Sequence, residues 1–339
     1  MNRKKIGALQ PWQIILLILL PIAVSFAALC IGRMSIAPMD VIHSILNKFG
    51  GSYAVNPQIE QVLWTMRFPR ILLGLLVGAG LSAAGAAYQS LFSNPLATPD
   101  TLGVASGASF GAALAILIGL GMVGIQLSAL AFGLAAVILT FLAGSGKGRN
   151  VNSYVLAGIM ISSLFSALVS LVKFTADTES QLPSITYWLM GSLASKSYST
   201  LVLGAPLILI GILVLFLLRW RLNLLPLTDD EAKSTGVNIK LLRIVTIVCA
   251  TAITASCVSM CGQVGWVGLL VPHIARMRYG DNHLSLIPSS ICIGAAFLVI
   301  VDTLARSATA AEIPVSILTA IIGAPFFILL MRRKGGWNL

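Results

Sequence analysis

Long apolar stretches without a charged residue alternate with short polar segments along almost the whole chain. An α-helix needs roughly 20 apolar residues to cross a bilayer, so most stretches can form one crossing and the longest can form two. Helices satisfy their own backbone polar groups in lipid, and the pattern therefore predicts an all-α, polytopic membrane protein. The charge-free stretches are 6–32, 71–99, 101–146, 150–172, 197–218, 244–275, 284–301 and 313–331.

The pattern predicts about ten transmembrane helices in one domain that covers residues 1–339. The region 262–279 is ambiguous, because the uncharged stretch 244–275 is short for two crossings. We count it as a span because only then do both chain ends lie inside. On this topology 15 of the 22 Lys and Arg residues lie on the inner side, as expected for cytoplasmic loops. The predicted spans are 14–33, 67–91, 98–117, 124–143, 151–172, 198–218, 241–261, 262–279, 284–304 and 313–331.

Composition agrees with a membrane protein. Only 10% of the residues are charged, against about 25% in soluble domains. A formal net charge of +11 is found in many nucleic-acid-binding proteins, but here the basic residues form short clusters between apolar stretches. We therefore expect a multi-pass protein of the cell membrane, surrounded by lipid, with both termini in the cytoplasm and no nucleic-acid partner.

Three arginines contradict the rule that basic residues concentrate on the cytoplasmic side of a membrane protein. Arg67 and Arg70 bracket a proline at the start of the second span, and Arg306 lies near the end of the ninth. All three are predicted at the outer face, where basic residues are depleted. Asp302 stands four residues before Arg306, so we expect an i,i+4 ion pair between them near the outer surface.

The polar loop 219–240 is the most charged segment of the chain. Thr228 and Glu231 have capping-box spacing, and Gly236 suits a helix C-terminal cap. A short helix in an inner loop, too polar to enter lipid, is a candidate docking element for a cytoplasmic partner.

Motifs for cofactor, metal or catalytic chemistry are lacking. No strand precedes Gly78-x-Gly80, and Gly148 stands where a phosphate loop needs Ser or Thr. The five cysteines have no His or carboxylate nearby to complete a metal site. We therefore expect no cofactor, no metal site and no enzymatic activity. An ion-coupled carrier or channel acting alone is the alternative from another class, but it calls for buried acids, which the spans almost entirely lack.

An ordered set of motifs resembles the FecCD-type permeases, the membrane subunits of ABC importers for ferric siderophores, haem and cobalamin. The resemblance covers about 60–333. Its motifs are Arg67-Phe68-Pro69-Arg70, Asn94-Pro95-Leu96-Ala97, Leu102-Gly103, Ser106-Gly107-Ala108, Gly265-Trp266-Val267-Gly268-Leu269, Pro272-His273-x-x-Arg276, Glu312-Ile313-Pro314 and Gly323-Ala324-Pro325-Phe326-Phe327.

The resemblance implies an ABC importer fold of the cobalamin-importer type and a permease dimer, homomeric or heteromeric, with the path at its interface. It also implies two cytoplasmic ATPase subunits and an external substrate-binding protein. A ferric siderophore is the expected substrate, with haem or cobalamin as alternatives.

The resemblance also implies roles for particular residues. The three arginines Arg67, Arg70 and Arg306 would receive acidic residues of the binding protein. A cytoplasmic gate would include Asn94 and Leu96, with Asn152 and Ser153 matched by position only. The residues expected to couple to the ATPase lie in the loop 226–238: Thr228, Asp229, Asp230, Glu231, Lys233 and Gly236.

Overall fold

A computed structural model describes residues 7, 9–145, 151–194, 196–227, 231, 234–309 and 311–332. In this part of the chain the regular structure is helical. The α-helices are α1 Pro11–Cys30, α2 Pro38–Lys48, α3 Pro57–Gln61, α4 Phe68–Leu91, α5 Val104–Leu117, α6 Met122–Gly144, α7 Val151–Thr175, α8 Gln181–Leu189, α9 Tyr198–Leu218, α10 Ile239–Cys261, α11 Val267–Tyr279, α12 His283–Ala308 and α13 Val315–Arg332.

Seven helices among the described residues are long and apolar enough to cross a membrane. Two of the other predicted spans coincide with shorter apolar helices, α5 and α13. The longest continuous helical run, Pro57–Leu91, joins α3 to α4 through a π-helical stretch at Val62–Arg67. Helix bounds mostly lie within a few residues of the predicted spans.

The predicted third and eighth spans are only partly α-helical. Residues Pro99–Leu102 form a 3₁₀ turn, and Gly103 has a φ of +81°, so α5 begins only at Val104. The segment 262–266 is unwound and α11 has 13 residues, about 20 Å of helix against a hydrocarbon core of about 30 Å. Gly262 and Trp266 both have positive φ, which ends one helix and starts the next. The break therefore lies at the boundary between the two predicted spans 241–261 and 262–279, and the second of these begins as a helix only at Val267.

Helix α4 is the centre of the bundle. In the apolar part of Pro57–Leu91, 83% of the residues are buried, against 17% in Pro11–Cys30. A Cβ atom at Gly78 would lie 2.2 Å from the carbonyl oxygen of Gly294 on α12. A Cβ at Gly85 would lie 1.9 Å from the carbonyl oxygen of Gly268 on α11. The glycines of α4 therefore allow direct backbone contact with two neighbouring helices.

Candidate functional site

Arg67 and Arg306 bind the end of α1. Both residues are buried, with 4% and 7% of their surface exposed. Arg67 donates hydrogen bonds to the carbonyl oxygens of Leu29 and Met34, and Arg306 donates to that of Ala28. Helix α1 ends at Cys30, so the carbonyls of its last turn lack intrahelical partners. The two guanidinium groups supply those partners and place positive charge at the negative end of the helix.

Arg70 joins α4 to two acidic residues. Its Nε lies 3.0 and 2.9 Å from the two carboxylate oxygens of Asp302, and its Nη2 lies 2.8 Å from Oδ1. Its Nη1 lies 2.9 Å from Glu312 Oε2. The expected pair between Asp302 and Arg306 is therefore wrong. Asp302 lies on the face of α12 that packs against α4, so its carboxylate meets Arg70 and not the residue one turn along its own helix.

The three arginines, called here the arginine cluster (Arg67, Arg70 and Arg306), border a cavity of about 640 Å³. The structure thus brings together the three arginines that were singled out because basic residues are unusual at the outer face. It adds Arg33, Lys196 and Glu312, which the sequence analysis did not select. Burial lowers the pKa of Lys196, which lies in the loop before α9. Glu312 could have been selected from the sequence, because it is an acidic residue that closely follows Arg306, an arginine predicted at the outer face. The cavity combines five cationic side chains with one carboxylate.

The turn after α4 contains the predicted gate residues Asn94 and Leu96. Asn94 Oδ1 accepts a hydrogen bond of 2.9 Å from the Leu96 amide, and the Asn94 amide donates to Gln89 O at 3.1 Å. Asn94 is exposed, as is Leu96 at 51% of its surface. Ser153 is half-buried in the first turn of α7, and the side chain of Asn152 lies outside the described part of the structure.

A second cavity, of about 320 Å³, lies where the segment before α5 meets the unwound segment before α11. Asp100 lines it, and its Oδ1 accepts a hydrogen bond of 2.8 Å from the Ala105 amide. Gln263 donates to Ser109 Oγ at 2.7 Å. Thr98 and Thr254 add hydroxyl groups to an otherwise largely apolar lining. The sequence analysis did not select this cavity, because its walls come from segments more than 150 residues apart.

The loop between α9 and α10 is described in part. Arg221–Leu224 forms a 3₁₀ turn, Glu231 and Ser234 are helical, and Gly236 has a φ of +72°. Helical residues before a glycine with positive φ fit the expected short helix and its C-terminal cap. The other predicted coupling residues lie outside the described residues: Thr228, Asp229, Asp230 and Lys233.

The model of the FecCD transport family matches residues 17–333. The chain belongs to this family. The family predicted from the motifs, with its all-α polytopic fold, is thereby confirmed.

Relatives in this family carry several different substrates. The chain is 42% identical to the molybdate import system permease protein MolB of Haemophilus influenzae, over 95% of this chain and 96% of that one. It is 38% identical to the cobalamin import system permease protein BtuC of Halobacterium salinarum, over 83% and 76%. It is 36% identical to the hemin transport system permease protein HmuU of Yersinia pestis, over 82% and 86%.

Solved structures agree with this assignment. A transporter described as of the metal-chelate ABC type, in an inward-facing conformation, superposes with a TM-score of 0.86 at 40% identity, covering 95% of this chain and 99% of the other. PsaBC from Streptococcus pneumoniae superposes with a TM-score of 0.55 at 18% identity and shares the fold. The chain is therefore a multi-pass membrane permease of an ABC importer.

Proposed function

We propose that this permease imports a ferric siderophore through a path formed at a dimer interface. Two cytoplasmic ATPase subunits would drive the change between inward- and outward-open states, and an external binding protein would deliver the substrate. The second permease subunit is a copy of this chain or a related one. Both termini lie in the cytoplasm, in agreement with the 15 inner and 7 outer basic residues of the predicted topology.

The cavity that contains Asp100 carries the substrate proposal. A carboxylate at the wall of the cavity repels a small free dianion. A chelated ferric ion is enclosed in an organic shell that hydroxyl, amide and apolar walls can contact weakly. The lining of Asp100, Gln263, Thr98 and Thr254 therefore favours a bulky chelate over a bare oxyanion. Haem and cobalamin are organic substrates of the same kind and remain alternatives.

Specific roles follow for the predicted residues. The arginine cluster would attract acidic groups of the binding protein through the positive charge that it places around the cavity, while its guanidinium groups keep their bonds within the permease. Asn94 and Leu96, with Asn152 and Ser153, would form the cytoplasmic gate. The helical segment around Glu231 would contact the ATPase.

An uptake experiment tests the substrate. The transporter, assembled with its ATPase and binding protein in liposomes, is offered radiolabelled ferric siderophore, haemin, cobalamin and molybdate in turn. We expect ATP-dependent accumulation of the siderophore. Accumulation of molybdate alone would contradict the proposal, and transport of any substrate without the ATPase would favour an ion-coupled carrier.

Molybdate is a second candidate because MolB shares 42% identity over 95% of the chain. The variant Asp100→Asn separates the two candidates. If the carboxylate discriminates against dianions, this variant should increase molybdate uptake relative to chelate uptake by about tenfold, the effect of about 1.4 kcal/mol. Asp177→Asn is the matched control, because Asp177 is an exposed carboxylate away from the cavity. An unchanged ratio in Asp100→Asn would show that the carboxylate does not select the substrate.

A further inference from the structure

The segment that leads from α9 into the coupling loop is buried in the bundle. Leu222 has no exposed surface and Leu225 has 2%, so the turn is part of the apolar core. The carbonyl oxygen of Leu222 accepts a hydrogen bond of 2.9 Å from Ser90 Oγ, in the last turn of α4. This segment is therefore attached directly to the central helix.

Asn223, in the same turn, binds the beginning of α12. Its Oδ1 lies 2.9 Å from the His283 amide and 3.0 Å from His283 Nδ1. Its Nδ2 donates to Asn282 Oδ1 at 3.1 Å and to Trp220 O at 3.1 Å. Asn282 is the N-cap of α12, and its Oδ1 also accepts from the Leu284 amide at 3.0 Å. Asn223 thus uses both its acceptor and its donors to extend the N-terminal cap of α12, although it lies 60 residues before His283 in the sequence.

The same end of α4 leads into the turn at residues 92–97, which contains the proposed gate residues and is called here the gate turn. Ser90 is four residues before Asn94, and the carbonyl of Gln89 accepts the Asn94 amide. The Gln89 side chain accepts a hydrogen bond of 3.1 Å from Arg276 on α11. A displacement of the 3₁₀ turn would therefore act on α4, next to the gate, and on α12 together.

We propose that Ser90, Asn223, Asn282 and His283, called here the asparagine junction, transmit movement of the ATPase-coupling loop to α12 and to the gate turn. Asn223 is a positioning residue in this inference, which rests on the proposed coupling at 228–236. Only four residues lie between Asn223 and Thr228 in the sequence, so little of a movement of the loop can be absorbed by the chain before it reaches Asn223. Hydrogen bonds between neutral groups suit the task, because they hold the segments in register and can re-form without separating buried charges.

The experiment uses the complete transporter, with ATPase and binding protein, in liposomes. For Asn223→Ala we expect near-normal ATP hydrolysis and about tenfold less substrate moved per ATP, because several hydrogen bonds of about 1 kcal/mol each are lost. Asn223→Asp retains the acceptor for the His283 amide and should restore part of the coupling. Ser90→Ala removes the hydrogen bond between α4 and the carbonyl of Leu222. It should also lower the amount of substrate moved per ATP, but by a smaller factor.

Asn47→Ala is the matched control. Asn47, in the last turn of α2, makes two similar hydrogen bonds: it donates to Tyr53 O at 2.9 Å and accepts from the Tyr53 amide at 2.8 Å. Its variant should keep the normal ratio of transport to hydrolysis. A normal ratio in Asn223→Ala and Ser90→Ala, or a parallel loss of hydrolysis and transport in both, would overturn the inference. If Asn223→Ala does not assemble, Ser90→Ala decides alone by the same criterion.

Replacement of Asp229, Asp230 and Glu231 by alanine separates this inference from the function on which it rests. Full coupling in that variant would refute the proposed coupling loop. Uncoupling in that variant together with normal coupling in Asn223→Ala would refute the junction alone.

Discussion

The two ends of helix α4 are held by opposite kinds of chemistry. At the Arg67 end, guanidinium groups bind carboxylates and the last carbonyls of α1. At the Leu91 end, a serine hydroxyl and amide groups make hydrogen bonds, mostly with neutral partners. Helix α12 takes part at both ends, through Asp302 and Arg306 at one and through the asparagine junction at the other.

This difference separates a rigid end from one that can rearrange. A buried ion pair is costly to open, because each partner would remain as an uncompensated charge. A neutral hydrogen bond contributes about 1 kcal/mol net and can exchange partners. We therefore expect the arginine end to keep its shape as a platform and the other end to change during transport. The following predictions test that difference, beginning with the largest expected effect.

The largest effect is expected from breaking the ion pair at the arginine end. Arg70→Met leaves the buried carboxylate of Asp302 without its main partner and should lower the free energy of unfolding by about 3–5 kcal/mol. Chemical denaturation in detergent measures the change. The double variant Arg70→Met/Asp302→Leu should recover most of the loss, since the carboxylate that lost its partner is removed as well.

Arg33→Met is the control for that experiment. The Arg33 side chain is 52% exposed and lies 4.0 Å from Glu312, so its loss should cost less than about 1 kcal/mol. Equal costs for Arg33→Met and Arg70→Met would show that the arginine end is not stabilised by a buried pair.

A smaller effect is expected when Arg306 is neutralised. Arg306→Gln removes one positive charge from the cavity while leaving a donor for the carbonyl of Ala28. If the cluster receives acidic groups of the binding protein, affinity for that protein should fall about tenfold, or about 1.4 kcal/mol, and the difference should shrink in high salt.

Surface plasmon resonance on the assembled transporter measures this affinity. Lys173→Gln is the control, because Lys173 lies on α7 and does not line the cavity. Unchanged affinity of Arg306→Gln at low salt would remove Arg306 from the docking surface.

The smallest effect is expected at the gate turn. Asn94→Ala removes the hydrogen bond that caps the Leu96 amide and should weaken the turn by about 1 kcal/mol. Hydrogen exchange of the Leu96 and Ala97 amides should accelerate about fivefold, while global stability stays nearly normal. Asn56→Ala removes a similar bond of 2.9 Å to the Gln58 amide, in the short helix α3 that leads to the arginine end.

Asn56→Ala should accelerate exchange only around α3 and leave transport normal, whereas Asn94→Ala should also change transport. Equal effects of the two variants on transport would contradict the distinction between a fixed and a rearranging end of α4.

The sequence alone determined the class, the family and the approximate helices. Charge-free stretches of about 20 residues can be accommodated in lipid only as helices, so their positions follow from composition. Arg67, Arg70 and Arg306 were selected together because each contradicts the same charge rule, and the structure places them around one cavity. The turn at Asn94-Pro95 was also predictable, since proline ends a helix through local sterics.

Tertiary packing decided which side chains meet. The spacing of Asp302 and Arg306 indicated a local pair, yet the carboxylate binds Arg70, 232 residues away, because that side of α12 faces α4. The break at 262–266 and the contacts of Asn223 also depend on neighbouring segments, through Gly262 against the carbonyl of Trp188 and through the N-cap of α12. The local sequence pattern constrains the backbone conformation of each segment and its depth in the membrane. The partners of buried polar groups depend on how the helices pack against one another.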